Sequence, residues 1–300
     1  MAGAGRRTET KGLFRARFGG VEETVSAVFR HLAGTDLPRQ VDDRLRLSQT
    51  RADLPEDEGE GFWRFLSLAE GLYAILTDCR YATARAERVV AEGMVEFHFL
   101  LEGPVELTLP KGADTNAADV SFIACQQAQG LDYEVVCQPG TYRMVSLYVR
   151  PDILENSFGM DSRATRQLLH PEPGTMAMRE QKIDLDFLRV LRELFGLEFA
   201  GPRDLPLAAA RITELLVLSV DALDRRGRAE EESVVFTARE LAMFDRARQI
   251  LSTDFSESLT IPGLARTLGT NATKLKSGFR LLYGATIFNY RNRYRMDRAM

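Results

Sequence analysis

Histidine is scarce in this chain of 300 residues, which contains only three, at positions 31, 98 and 170. Catalytic metal sites of the common type need two or three histidines and a carboxylate that converge on one ion, with paired ligands spaced His-x-His on a strand. No such pair is present. We therefore expect no metal site and no cofactor, with His98 either lining a ligand pocket or facing solvent beside Glu96.

Motifs of catalysis are also missing. The sequence has no Gly-x-Ser-x-Gly, no P-loop and no Gly-x-Gly-x-x-Gly after a predicted strand. Nucleophilic catalysis, nucleotide hydrolysis and dinucleotide chemistry therefore have no candidate residues. The sequence predicts no catalytic residues and a protein that is not an enzyme.

Cysteine is rare, and long apolar runs are absent. Cys79, Cys125 and Cys137 are widely spaced and form no Cys-x-x-Cys pair. We interpret them as buried reduced thiols, with a redox sensor as the alternative. No run of about 18 apolar residues indicates a membrane span, and no apolar segment of a signal peptide follows the N-terminal arginines. The sequence therefore predicts a cytoplasmic protein without membrane contact.

Charge, by contrast, is concentrated at one end of the chain. Residues 259–300 contain eight basic side chains and one acidic side chain, a net charge of +7. The other 258 residues carry a net charge of −11, so the total of −4 conceals a strong polarity. A basic tail on an acidic body is typical of a protein that binds nucleic-acid phosphates.

The same tail has an apolar pattern that is interrupted once. Gly269, Thr270 and Asn271 separate two helical repeats, and Gly269 suits the left-handed conformation that ends a helix. Thr260 suits the N-cap of the first helix, and Asn271 suits that of the second. This pattern predicts a helix-turn-helix. Its predicted core residues are Leu264, Ala265, Leu268, Gly269, Leu275 and Phe279.

The tail resembles the first recognition unit of the AraC/XylS family of bacterial transcription regulators. That family has an alanine in its first helix, a glycine turn, Leu-x-x-x-Phe in its recognition helix, and then Gly-x-Ser-Pro and Tyr-x4-Arg-Leu-x-x-Ala. The matching residues are Ala265, Gly269, Leu275, Phe279, Gly284, Ala285, Thr286, Ile287, Tyr290, Arg295, Met296 and Ala299. Ile287 replaces the family's proline, and Gly278 lies inside the recognition helix at a cost of about 1 kcal/mol relative to alanine. The sequence of the second helix is most similar to that of the branch that includes siderophore-responsive regulators.

The resemblance implies a regulator that binds double-stranded DNA, responds to an unknown small-molecule effector and, as an activator, contacts RNA polymerase. In a helix-turn-helix, the exposed N-terminal part of the second helix enters the major groove. The candidates for contact with base edges are Thr273, Lys276 and Ser277. The candidates for contact with phosphates are Asn271, Lys274, Arg280, Arg291 and Arg293.

AraC-type regulators have a second helix-turn-helix after this one, whereas the present sequence ends inside the third helix. We expect the parent reading frame to continue for roughly a further 40 to 60 residues, by analogy with repeated helical units. The alternative function is an effector-binding or dimerisation module whose incomplete tail binds DNA weakly or not at all.

Upstream of the tail, short β-type runs alternate with turn residues, a pattern typical of an antiparallel sandwich or barrel. The runs are residues 71–76, 94–101, 105–109, 120–124, 133–137 and 142–149. In the second run, alternation places Glu96 and His98 on one face. The opposite face carries Val95, Phe97, Phe99 and Leu101. This region resembles the cupin-type sensor domain of many AraC-family proteins.

Two amphipathic runs between the β region and the tail predict a helical hairpin, which either packs on the sheet or forms a homodimer surface. The predicted fold class is α+β, with an N-terminal antiparallel cupin-like β sensor domain, flanking helices and a C-terminal all-α helix-turn-helix domain. The predicted domains are residues 1–61 (N-terminal helix and acidic loop), 62–175 (sensor), 176–233 (hairpin and linker) and 234–300 (incomplete DNA-binding domain).

Overall fold

The chain forms two compact units. One comprises residues 1–104 and 117–235, and the other comprises residues 105–116 and 236–300. The computed structural model describes residues 24–83, 85–102, 121–130, 132–137, 139–160, 165–227, 234–253, 259–283, 286–288 and 290–291.

The first unit is built mainly from antiparallel β structure. Its strands are β1 (Arg39–Asp42), β2 (Leu47–Asp53), β3 (Gly59–Ala69), β4 (Leu72–Tyr81), β5 (Arg85–Val90), β6 (Val95–Glu102), β7 (Ser121–Gln127), β8 (Asp132–Cys137), β9 (Gly140–Val149), β10 (Thr175–Lys182) and, at the boundary between the units, β11 (Val234–Thr237). Nine of them form one sheet in the order β1-β2-β3-β4-β9-β6-β7-β10-β11, and β5 pairs with β8. The predicted runs correspond to β4, β6, β7, β8 and β9, while residues 105–109 lie outside the described residues.

The sheet begins earlier than the sequence pattern indicated, because β1, β2 and the start of β3 precede residue 62. These strands are rich in polar residues, and β1 has the burial pattern of an exposed edge. Polar strands lack the apolar alternation on which strand prediction depends, and β1 lies at the edge of the sheet.

Helices complete an α+β architecture, which confirms the predicted class at this level. They are α1 (Val25–Ala33), α2 (Pro151–Phe158), α3 (Arg166–Leu169), α4 (Leu185–Phe195), α5 (Asp204–Gly227), α6 (Ala238–Thr253), α7 (Ile261–Thr267) and α8 (Ala272–Tyr283). Within the described ranges, no helix has the length and apolar character needed to cross a membrane.

One face of the sheet packs against α4 and α5. The ring of Phe187 in α4 lies 5.5 Å from that of Phe122 in β7 and 6.0 Å from that of Phe99 in β6, measured between centroids. Ile212 and Leu216 of α5 are fully buried in the same apolar cluster. Most of the apolar side chains of the two helices are therefore covered within the chain.

The opposite face of the sheet carries aromatic and polar side chains. Trp63, Phe65 and Tyr148 belong to a second buried cluster, which also includes apolar residues of α1. The ring of Phe29 in α1 stacks on Tyr73 with 4.5 Å between centroids. The sheet is thus covered by helices on both faces, but with different chemistry on each.

Strand β6 shows how the sequence separates the two faces. Val95, Phe97 and Phe99 are fully buried in the cluster beneath α4 and α5, as the alternation predicted. Glu96 and His98 occupy the intervening positions, so their side chains lie on the opposite face. Both residues therefore lie in the aromatic and polar layer of the sheet.

Candidate nucleic-acid interface

Helix α7 and its turn belong to the second unit and are organised by local hydrogen bonds. Thr260 accepts a hydrogen bond from the backbone N–H of Gly263 through its hydroxyl oxygen, at 3.2 Å, which confirms it as the N-cap. Gly269 follows the helix with φ of +69°. The N–H of Thr270 then donates to the carbonyl of Ala265 at 2.9 Å. The predicted glycine turn is therefore present, in the conformation that favours glycine.

Helix α8 starts at a second cap. The side-chain oxygen of Asn271 accepts a hydrogen bond from the N–H of Lys274 at 2.8 Å, which confirms the predicted N-cap. Leu275 and Phe279 follow on the inward face and are fully buried. From α7, Leu264 is buried as well. The two helices therefore share one small apolar core.

Gly278 is a packing position in α8. A Cβ atom on this residue would overlap the ring of Phe244 in α6. Phe244 is itself fully buried and lies edge-on to Phe236, with 5.4 Å between ring centroids. The glycine that departs from helix propensity in the sequence thus allows α6 and α8 to approach closely.

An aromatic cluster joins α8 to the residues that follow it. Phe279 lies 4.6 Å from Tyr283 and 5.3 Å from Tyr290, measured between ring centroids. Burial raises the pKa of Tyr283. The N–H of Tyr290 donates to the carbonyl of Thr286 at 2.9 Å. Ile287 lies between these two residues in the sequence. Ile287 and Tyr290, which match the family pattern of the tail, are both buried.

The three base-edge candidates lie on the outer surface of α8. Thr273, Lys276 and Ser277 are all exposed. Residues three and four positions apart on a helix share a face, so the three side chains form one surface. The hydroxyl of Ser277 donates to the carbonyl of Thr273 at 3.0 Å, which leaves its oxygen able to accept a further hydrogen bond.

Lys274 forms an ion pair with Glu240 at the start of α6. The same carboxylate accepts the N–H of Thr237 at 2.8 Å, while the hydroxyl of Thr237 accepts the N–H of Glu240 at 3.2 Å. This is a capping box, and its Thr-x-x-Glu spacing is visible in the sequence although the prediction missed it. Lys274 is therefore held by an acidic partner in the free protein.

The remaining phosphate candidates differ in their surroundings. Arg280 is half-buried at the end of α8. Arg291 is also half-buried, and its guanidinium donates to the carbonyl of Leu259 at 2.9 Å. Asn271 is exposed and caps α8, whereas Arg293 lies outside the described residues.

A cleft of about 190 Å³ lies in the first unit, between α1 and strands β2 to β4. Aromatic rings, hydroxyl groups and guanidinium groups line it together. Its lining includes Phe29, Arg30, Arg39, Thr50, Phe65 and Tyr73. The lining therefore combines aromatic surfaces with hydrogen-bond donors.

Residues 58–234 match a protein family described as the regulatory protein PchR N-terminal domain. The chain belongs to the PchR N-terminal domain family. The matched residues precede α6, so this assignment is independent of the tail residues that carry the AraC-family resemblance, and it confirms that resemblance.

The PchR regulatory protein of Pseudomonas aeruginosa is 28% identical to the chain over 201 residues, which are 67% of this chain and 61% of that relative. The chain therefore spans less than two thirds of the relative's length. A crystal structure of apo ToxT from Vibrio cholerae aligns with 74% of this chain and 97% of its own, at 9% identity and a TM-score of 0.29. The PchR relative is a regulatory protein, in agreement with the absence of catalytic motifs from the sequence.

Proposed function

We propose that this chain is a sequence-specific DNA-binding transcription regulator of the AraC type that responds to a small-molecule effector. The observation that carries the proposal is the two-sided character of α8. Leu275 and Phe279 fix its inner face, while Thr273, Lys276 and Ser277 stand together on its outer face. A recognition helix needs this combination, because rigid packing aims the exposed side chains at base edges.

The charges around α8 support contact with the DNA backbone. Residues 259–300 have a net charge of +7. We assign phosphate contact first to Arg280 and to the exposed end of α8 at Asn271. Lys274 and Arg291 contribute less in this proposal, because each already has a partner within the protein.

The domain assignment belongs to the same proposal. We assign the cupin-like sensor to the sheet that runs from β1 to β10, the hairpin to α4 and α5, and the DNA-binding unit to the helices from α6 onward. The cleft beneath α1 supports binding of a small aromatic ligand. By resemblance to the branch named above, we assign the effector to the siderophore class. Homodimerisation and contact with RNA polymerase are further elements of the proposed regulator.

DNA selection from a random duplex pool, followed by gel-shift titration of the winning sequence at several salt concentrations, tests this function. We expect an enriched motif and an affinity that falls steeply with salt, because neutralising phosphates releases counterions. The variant Lys276→Ala should select a less restricted motif.

The alternative is an effector-binding or dimerisation module with an incomplete tail. Under that alternative, the 300-residue chain enriches no motif and binds DNA only weakly. The same chain would still show a ligand-dependent rise in melting temperature, because a ligand that binds only the folded state stabilises it. Ligand binding without motif enrichment would therefore contradict the proposed DNA reader and favour the module.

A further inference from the structure

Three side chains with different donor atoms converge on the aromatic and polar face of the sheet. A carboxylate oxygen of Glu96, a ring nitrogen of His98 and the sulfur of Cys125 all lie within 4.8 Å of one another. Nε2 of His98 is 3.0 Å from Oε2 of Glu96. Glu96 and Cys125 are buried, whereas 26% of the His98 side chain is exposed. The cluster is therefore enclosed but reachable from one side.

Strand register brings these residues together. Glu96 lies directly opposite Cys125 in the pairing of β6 with β7, and its neighbour two positions later on the same face is His98. Cross-strand partners in an antiparallel pair have Cβ atoms about 4.5–5.5 Å apart, so their side chains meet. On the other side of β6, His98 lies opposite Ser146 of β9. The convergence thus follows from backbone pairing within the sheet.

We propose that Glu96, His98 and Cys125 bind a divalent transition-metal ion of borderline softness, for which Zn²⁺ is the best match. Zinc takes thiolate, imidazole and carboxylate ligands at about 2.0–2.3 Å, so its ligand atoms stand about 3.3–3.8 Å apart in a tetrahedral site. The observed separations, none above 4.8 Å, exceed the upper end of that spacing by at most about 1 Å. Three protein ligands leave one tetrahedral position for water or another donor.

Ser146 positions the histidine for this role. Nδ1 of His98 is 3.0 Å from the hydroxyl oxygen of Ser146. When Nδ1–H donates to that oxygen, Nε2 carries the lone pair and points at the Glu96 carboxylate. Histidine ligands generally hold their second ring nitrogen in such a hydrogen bond, which fixes both tautomer and orientation. Ser146 is therefore a positioning residue and not a ligand.

The thiol must lose a proton when the ion binds. Burial raises the pKa of Cys125, and the charge of Glu96 raises it further. The S–H bond breaks, a bond between Sγ and the ion forms, and the proton passes to solvent. The bound dication then neutralises two anionic ligands, Glu96 and the Cys125 thiolate, in a buried position.

The test is a titration of the reduced, chelator-treated 300-residue chain with Zn²⁺, followed by calorimetry, and with Co²⁺, followed by absorption spectroscopy. We expect one equivalent of each ion to bind at a high-affinity site. Bound Co²⁺ should show the charge-transfer band of a thiolate ligand and the visible bands of four-coordinate geometry. The thiolate band reports coordination by sulfur, which a surface histidine cannot produce.

Substitutions inside and outside the cluster distinguish metal binding at this site from metal binding elsewhere on the chain. Cys125→Ser should abolish the charge-transfer band, Glu96→Gln and His98→Gln should remove stoichiometric binding, and Ser146→Ala should weaken it about tenfold. The matched controls Cys79→Ser and His170→Gln lie outside the cluster and should bind as the parent does.

Circular dichroism identifies any variant that fails to fold, and Glu96→Gln, which preserves side-chain shape, is the variant expected to fold best. Absence of stoichiometric binding in the folded parent chain would overturn the proposal. Equal binding in the parent chain and in folded Glu96→Gln and Cys125→Ser would overturn it as well. Neither outcome depends on whether the tail binds DNA.

Discussion

The ring of Phe244 in α6 occupies the space that a Cβ atom on Gly278 of α8 would need. The two helices can therefore approach as closely as they do only with glycine at this position. Helix propensity alone favours alanine over glycine by about 1 kcal/mol. Packing and propensity thus oppose each other at a single residue.

We expect Gly278→Ala to lower the free energy of unfolding of the helical unit by about 1–3 kcal/mol, because overpacking outweighs the gain in propensity. Urea denaturation followed by circular dichroism measures the change. Combining Gly278→Ala with Phe244→Leu should restore part of the loss, since the two substitutions act on one contact. The exposed neighbour Ser277→Ala is the control, with an expected change within about 0.5 kcal/mol. A stabilised Gly278→Ala protein would contradict the close packing.

Gly269 provides the opposite test, because nothing lies within 4 Å of a Cβ atom built on it. Its φ of +69° nevertheless disfavours residues with a Cβ atom. We expect Gly269→Ala to reduce stability by about 1–2 kcal/mol through the backbone alone, and Gly269→Asn to reduce it less. Melting curves of both variants check this order. Equal losses for alanine and asparagine would argue against a conformational origin.

The ion pair between Glu240 and Lys274 predicts a dependence of stability on pH. Burial pushes the pKa of Glu240 upward, but hydrogen bonds from Lys274 and Thr237 outweigh this effect and bring it below its ordinary value of 4.5. A carboxyl whose pKa is lower in the folded chain stabilises the fold above the unfolded pKa, and this contribution is lost as the pH falls through the folded value.

The wild type should therefore be more stable than Glu240→Gln at neutral pH, and the difference should shrink as the pH drops below 4.5. Parallel urea titrations across that range measure it. Glu193→Gln, which removes a carboxylate from the other unit, is the comparison variant. A difference between wild type and Glu240→Gln that stays constant with pH would exclude the titration of Glu240 as its cause.

Lys276 and Arg280 should differ in their effect on DNA binding. We expect Lys276→Ala to relax preference at one base position by about 1–3 kcal/mol. Arg280→Ala should instead weaken binding to all sequences and reduce the salt slope by about 1. Motif selection and salt titrations with both variants separate the two roles. An unchanged motif for Lys276→Ala would remove it from the base-edge candidates.

Features that depend on a few neighbouring residues were predictable from the sequence. Thr260, Gly269 and Asn271 each act on backbone groups within five positions, so their capping and turn roles could be inferred without a fold. The apolar alternation in β6 likewise predicted which of its residues face α4 and α5. Polar edge strands such as β1 gave no comparable signal, and their place in the sheet depends on pairing with β2.

Features that join distant residues could not be read in the same way. Glu240 and Lys274 are 34 positions apart, and Phe244 and Gly278 are separated by the same distance, so both contacts depend on how α6 meets α8. Cys125 lies beside Glu96 and His98 because β6 pairs with β7 in this register. That pairing cannot be inferred from the sequence alone. The prediction of no metal site relied on the absence of a His-x-His pair, and it did not consider ligands on different strands.

Strand β6 also determines which changes in length the sheet can tolerate. A deletion of one residue within it would exchange its two faces, so that Glu96 and His98 would turn toward the phenylalanine rings beneath α4, and Phe97 toward the polar layer. Unpaired buried charges would then replace an apolar core. A deletion of two residues keeps each face intact and moves only the register. Insertions and deletions within residues 95–99 should therefore be tolerated in pairs and rejected singly, whereas the pairing with β9 already shifts by one residue between Leu100 and Glu102.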